Sequence, residues 1–211
     1  MHLNKGQLTP SMYANIMTRG RGGVEYGAAA MTAATRIAME RIGVQIPPVT
    51  SWAMEHGNNY EPEAIEAYEA KTGTIAIEPD EALQHPEIEY IAGTPDGIVG
   101  DDGIIEVKCP YNPANHLANI LTGEQLNDYK WQIQGYLAIT GRKWCDFVSY
   151  GAHFPDDLKL HIIRVDRDEL MIAELLDRLA AFELIVRGIV EQVEAVRGAA
   201  NRIIKPNTLT Q

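Results

Sequence analysis

The chain has 211 residues, 45% hydrophobic and 22% charged, enough apolar content to bury a core, and it reads as a single globular domain over 1–211. Two cysteines, Cys109 and Cys145, are too few for a disulfide framework or a four-cysteine metal site, the start MHLNKGQLTP lacks the apolar stretch of a signal peptide, and no apolar run could span a bilayer, so a soluble protein of a reducing cytoplasm is expected. A formal charge of −11 argues against a protein that coats nucleic acid nonspecifically, although the acids cluster over 61–69 and 78–89 and leave room for a local basic channel.

In chain order, the N-terminal part over about 1–73 reads as helical. Thr18-Arg19-Gly20-Arg21-Gly22-Gly23 is a glycine-rich loop with two guanidiniums, suited either to wrapping a phosphate or to a mobile surface turn. Residues 24–43, rich in Ala and Met, predict a mostly buried helix ended by Gly43. Pro47-Pro48 breaks the chain, and a second helix follows over about 52–71, with Ala64, Ile65 and Tyr68 on one face and Gly73 as its stop. Over about 74–165 the pattern changes. Short β-branched runs at 75–77, 88–91, 98–99 and 104–107 predict a β-meander, a helix over 125–140 ends at Gly141, and strands follow at 145–150 and 158–165. The expected fold is α/β (α+β), a mixed sheet flanked by helices. Asp166 then opens a long helix over about 166–197, whose stripe of Leu175, Leu179, Phe182, Val186, Ile189, Val193 and Val196 is expected to pack on the sheet. The tail beyond Gly198 reads as irregular.

Chemistry concentrates between Gly93 and Lys108. Gly93-Thr94-Pro95-Asp96-Gly97, the turn Gly100-Asp101-Asp102-Gly103 and Ile104-Ile105-Glu106-Val107-Lys108 form a predicted hairpin. Alternation puts Glu106 and Lys108 on one face. A turn of odd length, or a bulge at Gly97, places Asp96 opposite Glu106, and this register is the one expected. Two carboxylates converging beside a lysine call for a divalent cation, and oxygen-only ligands favour Mg²⁺, with Mn²⁺ able to substitute. The backbone carbonyl of Val107 offers a further oxygen. Such a set suits phosphodiester hydrolysis, with Lys108 orienting water or stabilising negative charge. The alternative is a solvent-facing Glu106–Lys108 salt bridge and a turn residue after proline.

Pro95-Asp96, nine residues, then Glu106-Val107-Lys108 resembles the core of the PD-(D/E)xK nuclease superfamily. The longer stretch from Tyr90 to Gly97 with Glu106-Val107-Lys108-Cys109-Pro110 is similar to its phage lambda exonuclease branch, the YqaJ-type viral recombinases. Three more segments agree with that branch. Gly57-Asn58-Asn59-Tyr60-Glu61 resembles its upstream helix, Leu8-Thr9-Pro10-Ser11 its Thr-x-Ser segment, and Tyr129-Lys130-Trp131-Gln132-Ile133-Gln134, with Tyr136, its glutamine motif.

The resemblance implies a restriction-endonuclease-like core and a Mg²⁺-dependent enzyme that degrades one strand of duplex DNA from a 5′ end, releasing mononucleotides and leaving a 3′ overhang for recombination. It implies metal ligation by Asp96, Glu106, the Val107 carbonyl and, less directly, Glu61, with Lys108 and Gln132 completing the catalytic set. It also implies a homotrimeric ring that threads DNA ends, and a single-strand annealing protein as partner in a phage-infected or lysogenic bacterial cell. The family's arginine ahead of Thr-x-Ser is missing here, where Asn4 and Lys5 stand, so Lys5, Ser11, Arg19 and Arg21 are the candidates for a 5′-phosphate pocket.

Competing roles stay open at the outlying positions. Glu61 could be a solvated helix-start carboxylate, and Gln132 could satisfy backbone inside a buried helix. The histidines show no zinc spacing, and the tryptophans and tyrosines suit a core, although an aromatic near the cutting site could wedge a terminal base pair. Two other functions compete: a structure-specific or restriction-type endonuclease on the same core, and a catalytically inactive interaction protein.

Overall fold

Around the hairpin just described, the chain builds a five-stranded mixed sheet in the order β1-β4-β5-β6-β7, with Ala76–Ile77 as β1, Gly97–Val99 as β4, Gly103–Lys108 as β5, Trp144–Tyr150 as β6 and Leu160–Asp166 as β7. Leu83–Gln84 (β2) and Ala92–Gly93 (β3) pair as a separate ribbon. This computed structural model describes residues 6–204, with side chains for 6–199. Strand β6 runs parallel to β5, and the other pairs are antiparallel. A parallel neighbour needs a crossover, supplied by helices Pro113–Thr122 (α4) and Leu126–Thr140 (α5).

Three apolar cores follow from strand alternation and helix periodicity. Helix Trp52–Thr72 (α3) starts at Ser51, whose side chain accepts from Met54 N at 3.3 Å, and stops at Gly73, where φ is 70°. Its Ala64 and Tyr68 pack against Ile105 and Val107 on one face of the sheet. On the other face Ile104, Cys145 and Phe147 meet Ile133 and Leu137 of α5. Glu106, in step with Ile104, is therefore carried under α5. The third core joins helices Tyr13–Met17 (α1), Ala28–Arg41 (α2) and Glu169–Ile204 (α6), through Ile16, Ala30, Ala34, Ile37, Leu175, Leu179, Phe182 and Val186.

Several expectations need correction. The predicted meander is interrupted, because β1 pairs with β4 while β2 and β3 fold off as their own ribbon. The run at 88–91 is a turn, from which only Ile91 bridges to Leu8. Helix α2 begins at Ala28 and buries one face instead of most of its surface; Met31 is exposed. Asp166 ends β7, and it is Asp168 Oδ1 that caps α6 by accepting from Leu170 N and Met171 N. That helix continues through the expected tail to Ile204, and its stripe packs on α1, α2 and α5 instead of on the sheet. By Val196 the stripe is exposed. Helix α4 was not expected at all.

Candidate active site

The turn between β4 and β5 holds three residues, 100–102, so Gly97 pairs with Ile105 and Asp96 falls opposite Glu106. Asp96 Oδ2 accepts from Val107 N at 2.6 Å, which pins this carboxylate to β5 just past Glu106. Glu106 is buried in the central strand. Its Oε1 accepts from both Lys108 Nζ and Gln132 Nε2, the latter at 2.5 Å, while its Oε2 is buried with no hydrogen-bond partner. The parity argument thus brings the two acids and the lysine together, and α5 adds Gln132.

Electrostatics agree with the geometry. Burial, then the Asp96 carboxylate, pushes Glu106 up to about 8. Burial likewise raises Asp96, against the pull of Lys108 and the Val107 N–H. Glu61, in the middle of α3 instead of at its start, is pushed up to about 7 by burial and then by Asp96, so it faces the same group of charges. Burial works to lower Lys108, but Glu106 and Asp96 outweigh it and hold the ammonium above its usual range.

An unpartnered buried carboxylate oxygen is costly, and among groups of three carboxylates and one ammonium a cation is the natural complement. Among the described residues no three His, Cys, Asp or Glu side chains are grouped so as to hold a metal ion between them. What the site offers is carboxylate oxygen from Asp96 and Glu106 on adjacent strands, a donor chemistry suited to hard cations. Above it lies a cleft of about 570 Å³, lined by Glu61, Val107, Lys108, Tyr111, Asn112 and Tyr129 among others.

Tyr129 stands in the glutamine motif, but the sequence alone assigns it no role. Its ring lies 5.0 Å from Lys108 Nζ and stacks on Phe147 at 5.4 Å. Its position three residues before Gln132, on the same helix face, was the available signal. Gln134, by contrast, is structural: it donates to Asp166 O at 2.8 Å and accepts from Asp168 N at 2.9 Å, joining β7 to α6.

Of the phosphate-pocket candidates, Ser11 lines a cavity that neither Arg19 nor Arg21 lines. This cavity, of about 480 Å³, is separate from the cleft and is shared with Thr9, Thr32 and Arg36. Arg36, which the sequence reading passed over, is the cation there, 3.3 Å from Glu40. Arg19 and Arg21 are exposed and have no ion-pair or hydrogen-bond partner among the described residues. Lys5 lies outside the described residues.

A family model for the YqaJ-like viral recombinase domain matches residues 2–143. An alkaline exonuclease (LHK-Exo) from Laribacter hongkongensis is 35% identical, with a TM-score of 0.82 over 94% of this chain and 95% of that one. Its structure in complex with dAMP gives 35% identity and a TM-score of 0.83 over the same shares. A phage-related exonuclease from Haemophilus somnus 129PT shares the fold at 18% identity and a TM-score of 0.72, covering 92% of this chain and 97% of that one. No curated protein matches the chain.

Proposed function

The chain belongs to the YqaJ-like viral recombinase domain family, and from that membership and the site we propose that it is a Mg²⁺-dependent exonuclease acting 5′-to-3′ on linear double-stranded DNA. It releases mononucleotides and leaves 3′ single-stranded overhangs for recombination by strand annealing. The observation that carries this reading is the buried, unpartnered Oε2 of Glu106 beside Asp96 and Lys108.

Asp96, Glu106 and the Val107 carbonyl, with Glu61 beside them, would hold Mg²⁺ or Mn²⁺, which when bound acidifies water and neutralises charge on the phosphate. The chain's own groups do the rest. Gln132 and Lys108 both donate to Glu106 Oε1, which fixes the carboxylate so that Oε2 is the free oxygen. Lys108, whose ammonium form its two acidic neighbours favour, would donate to the attacking water or to the phosphate as negative charge builds. The cleft volume of about 570 Å³ lies inside the range of roughly 300–1,000 Å³ typical of ligand sites. The relative solved with dAMP holds a deoxynucleoside monophosphate, the product class proposed for this chain. In the same reading a homotrimeric ring retains its duplex by topology, which suits a chain of formal charge −11, and a single-strand annealing protein takes over the overhang.

Linear duplexes labelled at the 5′ or the 3′ end, with and without 5′ phosphate, test this against a covalently closed circle in Mg²⁺. Early release of 5′ label as mononucleotide and a spared circle are expected, and EDTA should stop the release. An opened circle would point to an endonuclease on the same core, and early loss of 3′ label would reverse the polarity.

A further inference from the structure

Tyr111 lines the cleft and begins a run of four touching rings that the chemistry does not use. His56 and Tyr60 lie on α3, Tyr111 in the loop after β5, and His153 in the loop between β6 and β7. The His56 ring stands 4.7 Å from Tyr60, 5.5 Å from Tyr111 at 87°, and 6.4 Å from His153, while Tyr60 meets His153 at 5.8 Å and 80°. Tyr111 is 64% exposed and lines the same cleft as Lys108 and Glu61. His153 is also exposed, and among the described residues no hydrogen bond or ion pair engages any of the four side chains.

Core aromatics behave differently in this protein: Tyr13, Tyr68, Phe147 and Phe182 are fully buried. Tyr111 and His153 are left open to water, with the half-buried His56 and Tyr60 rings behind them and Tyr60 anchored on the core, and such an exposed aromatic edge beside a cleft marks a contact surface. The neighbouring charges say what kind. Glu55 and Glu66 of α3 are exposed on the same helix, and the whole chain carries 29 acids against 18 bases, so this wall offers a strand little phosphate neutralisation beyond Lys108. Base stacking needs no net charge, because every base offers a π-face and aromatic side chains offer another.

We infer that His56, Tyr60, Tyr111 and His153 form a stacking platform for the unpaired bases of the DNA strand that runs through the active-site cleft. The inference rests on the nuclease reading and adds to it a surface for single-stranded DNA, contiguous with the site where the backbone is cut. Tyr111, at the lip, is the first ring such a strand meets. Its contribution comes from the ring and not from the hydroxyl, and it is tolerant of base identity.

Fluorescence anisotropy of a dye-labelled single-stranded oligonucleotide with the full chain in EDTA tests this without cutting. Tyr111→Ala should weaken binding by at least about fivefold, Tyr111→Phe should keep it, and the dependence of affinity on salt should keep its slope in both. His56→Ala with His153→Ala should lower affinity as well. Wild-type affinity in Tyr111→Ala, or equal losses in Tyr111→Ala and Tyr111→Phe, would overturn the platform while leaving the nuclease reading intact. A wild-type chain that binds neither single-stranded nor duplex DNA would overturn both.

Discussion

Glu106 shows how one residue position creates the site. Period-two alternation in β5 sends its side chain under α5 with Ile104, where an apolar residue would be the ordinary occupant. The carboxylate is accepted there because Lys108 and Gln132 both donate to one of its oxygens, while the other has no hydrogen-bond partner. Gln132 is on this account a positioning residue whose removal is felt through the metal. Gln132→Leu should lower Mg²⁺ affinity of the DNA-free protein about 10- to 100-fold in a calorimetric titration, the usual effect of losing an outer partner. Unchanged affinity would separate Gln132 from the metal site.

Among the elements, α2 and α6 are tied by a buried carboxylate. Glu183 is 3% exposed and takes a bidentate pair from Arg41 at 2.7 and 2.8 Å, plus Arg187 Nε at 2.8 Å. Arg41→Met should cost roughly 3 kcal/mol in a urea titration, since it strands most of a buried charge. Arg187→Met, at the solvent-facing end of the triad, should cost clearly less; equal losses would mean that burial of the pair does not set its weight. The same elements show what could be read in the sequence. Gly73 and Gly141, both with φ near 70°, stop α3 and α5 where their sequence positions predict. The three-residue turn at 100–102 decided the register of Asp96 by parity. Helix α4 escaped because its pattern is inverted: His116 and Asn119 are buried, bonded to Ser149 at 2.8 and 3.0 Å, while Leu117 and Leu121 are exposed. The stripe on α6 identified its buried face but not the surface it meets, so its helical partners were not legible. Glu61 and Gln132 entered only through the family resemblance, since neither stands out by periodicity.

At the scale of the whole molecule, the metal should govern the pH dependence of stability. Glu61 and Glu106 rise from 4.5 to about 7 and about 8, both through burial first and Asp96 second. Each binds its proton more tightly folded than unfolded, so the penalty is absent below about 4.5 and complete above about 8. Stability of the metal-free protein should therefore fall as pH rises across that window, and Mg²⁺, by replacing the protons, should flatten the fall. Melting temperatures from about pH 5 to pH 8.5, in EDTA and in millimolar Mg²⁺, check this; parallel curves would contradict it. Among the described residues no helix is long and apolar enough to cross a membrane. The most direct test of the account compares the wild type with Asp96→Ala and Lys108→Ala for nucleotide release from linear duplex DNA in Mg²⁺, with circular dichroism melts alongside. Both variants should stay folded and release nothing, whereas release at the wild-type rate by either folded variant would contradict the assignment.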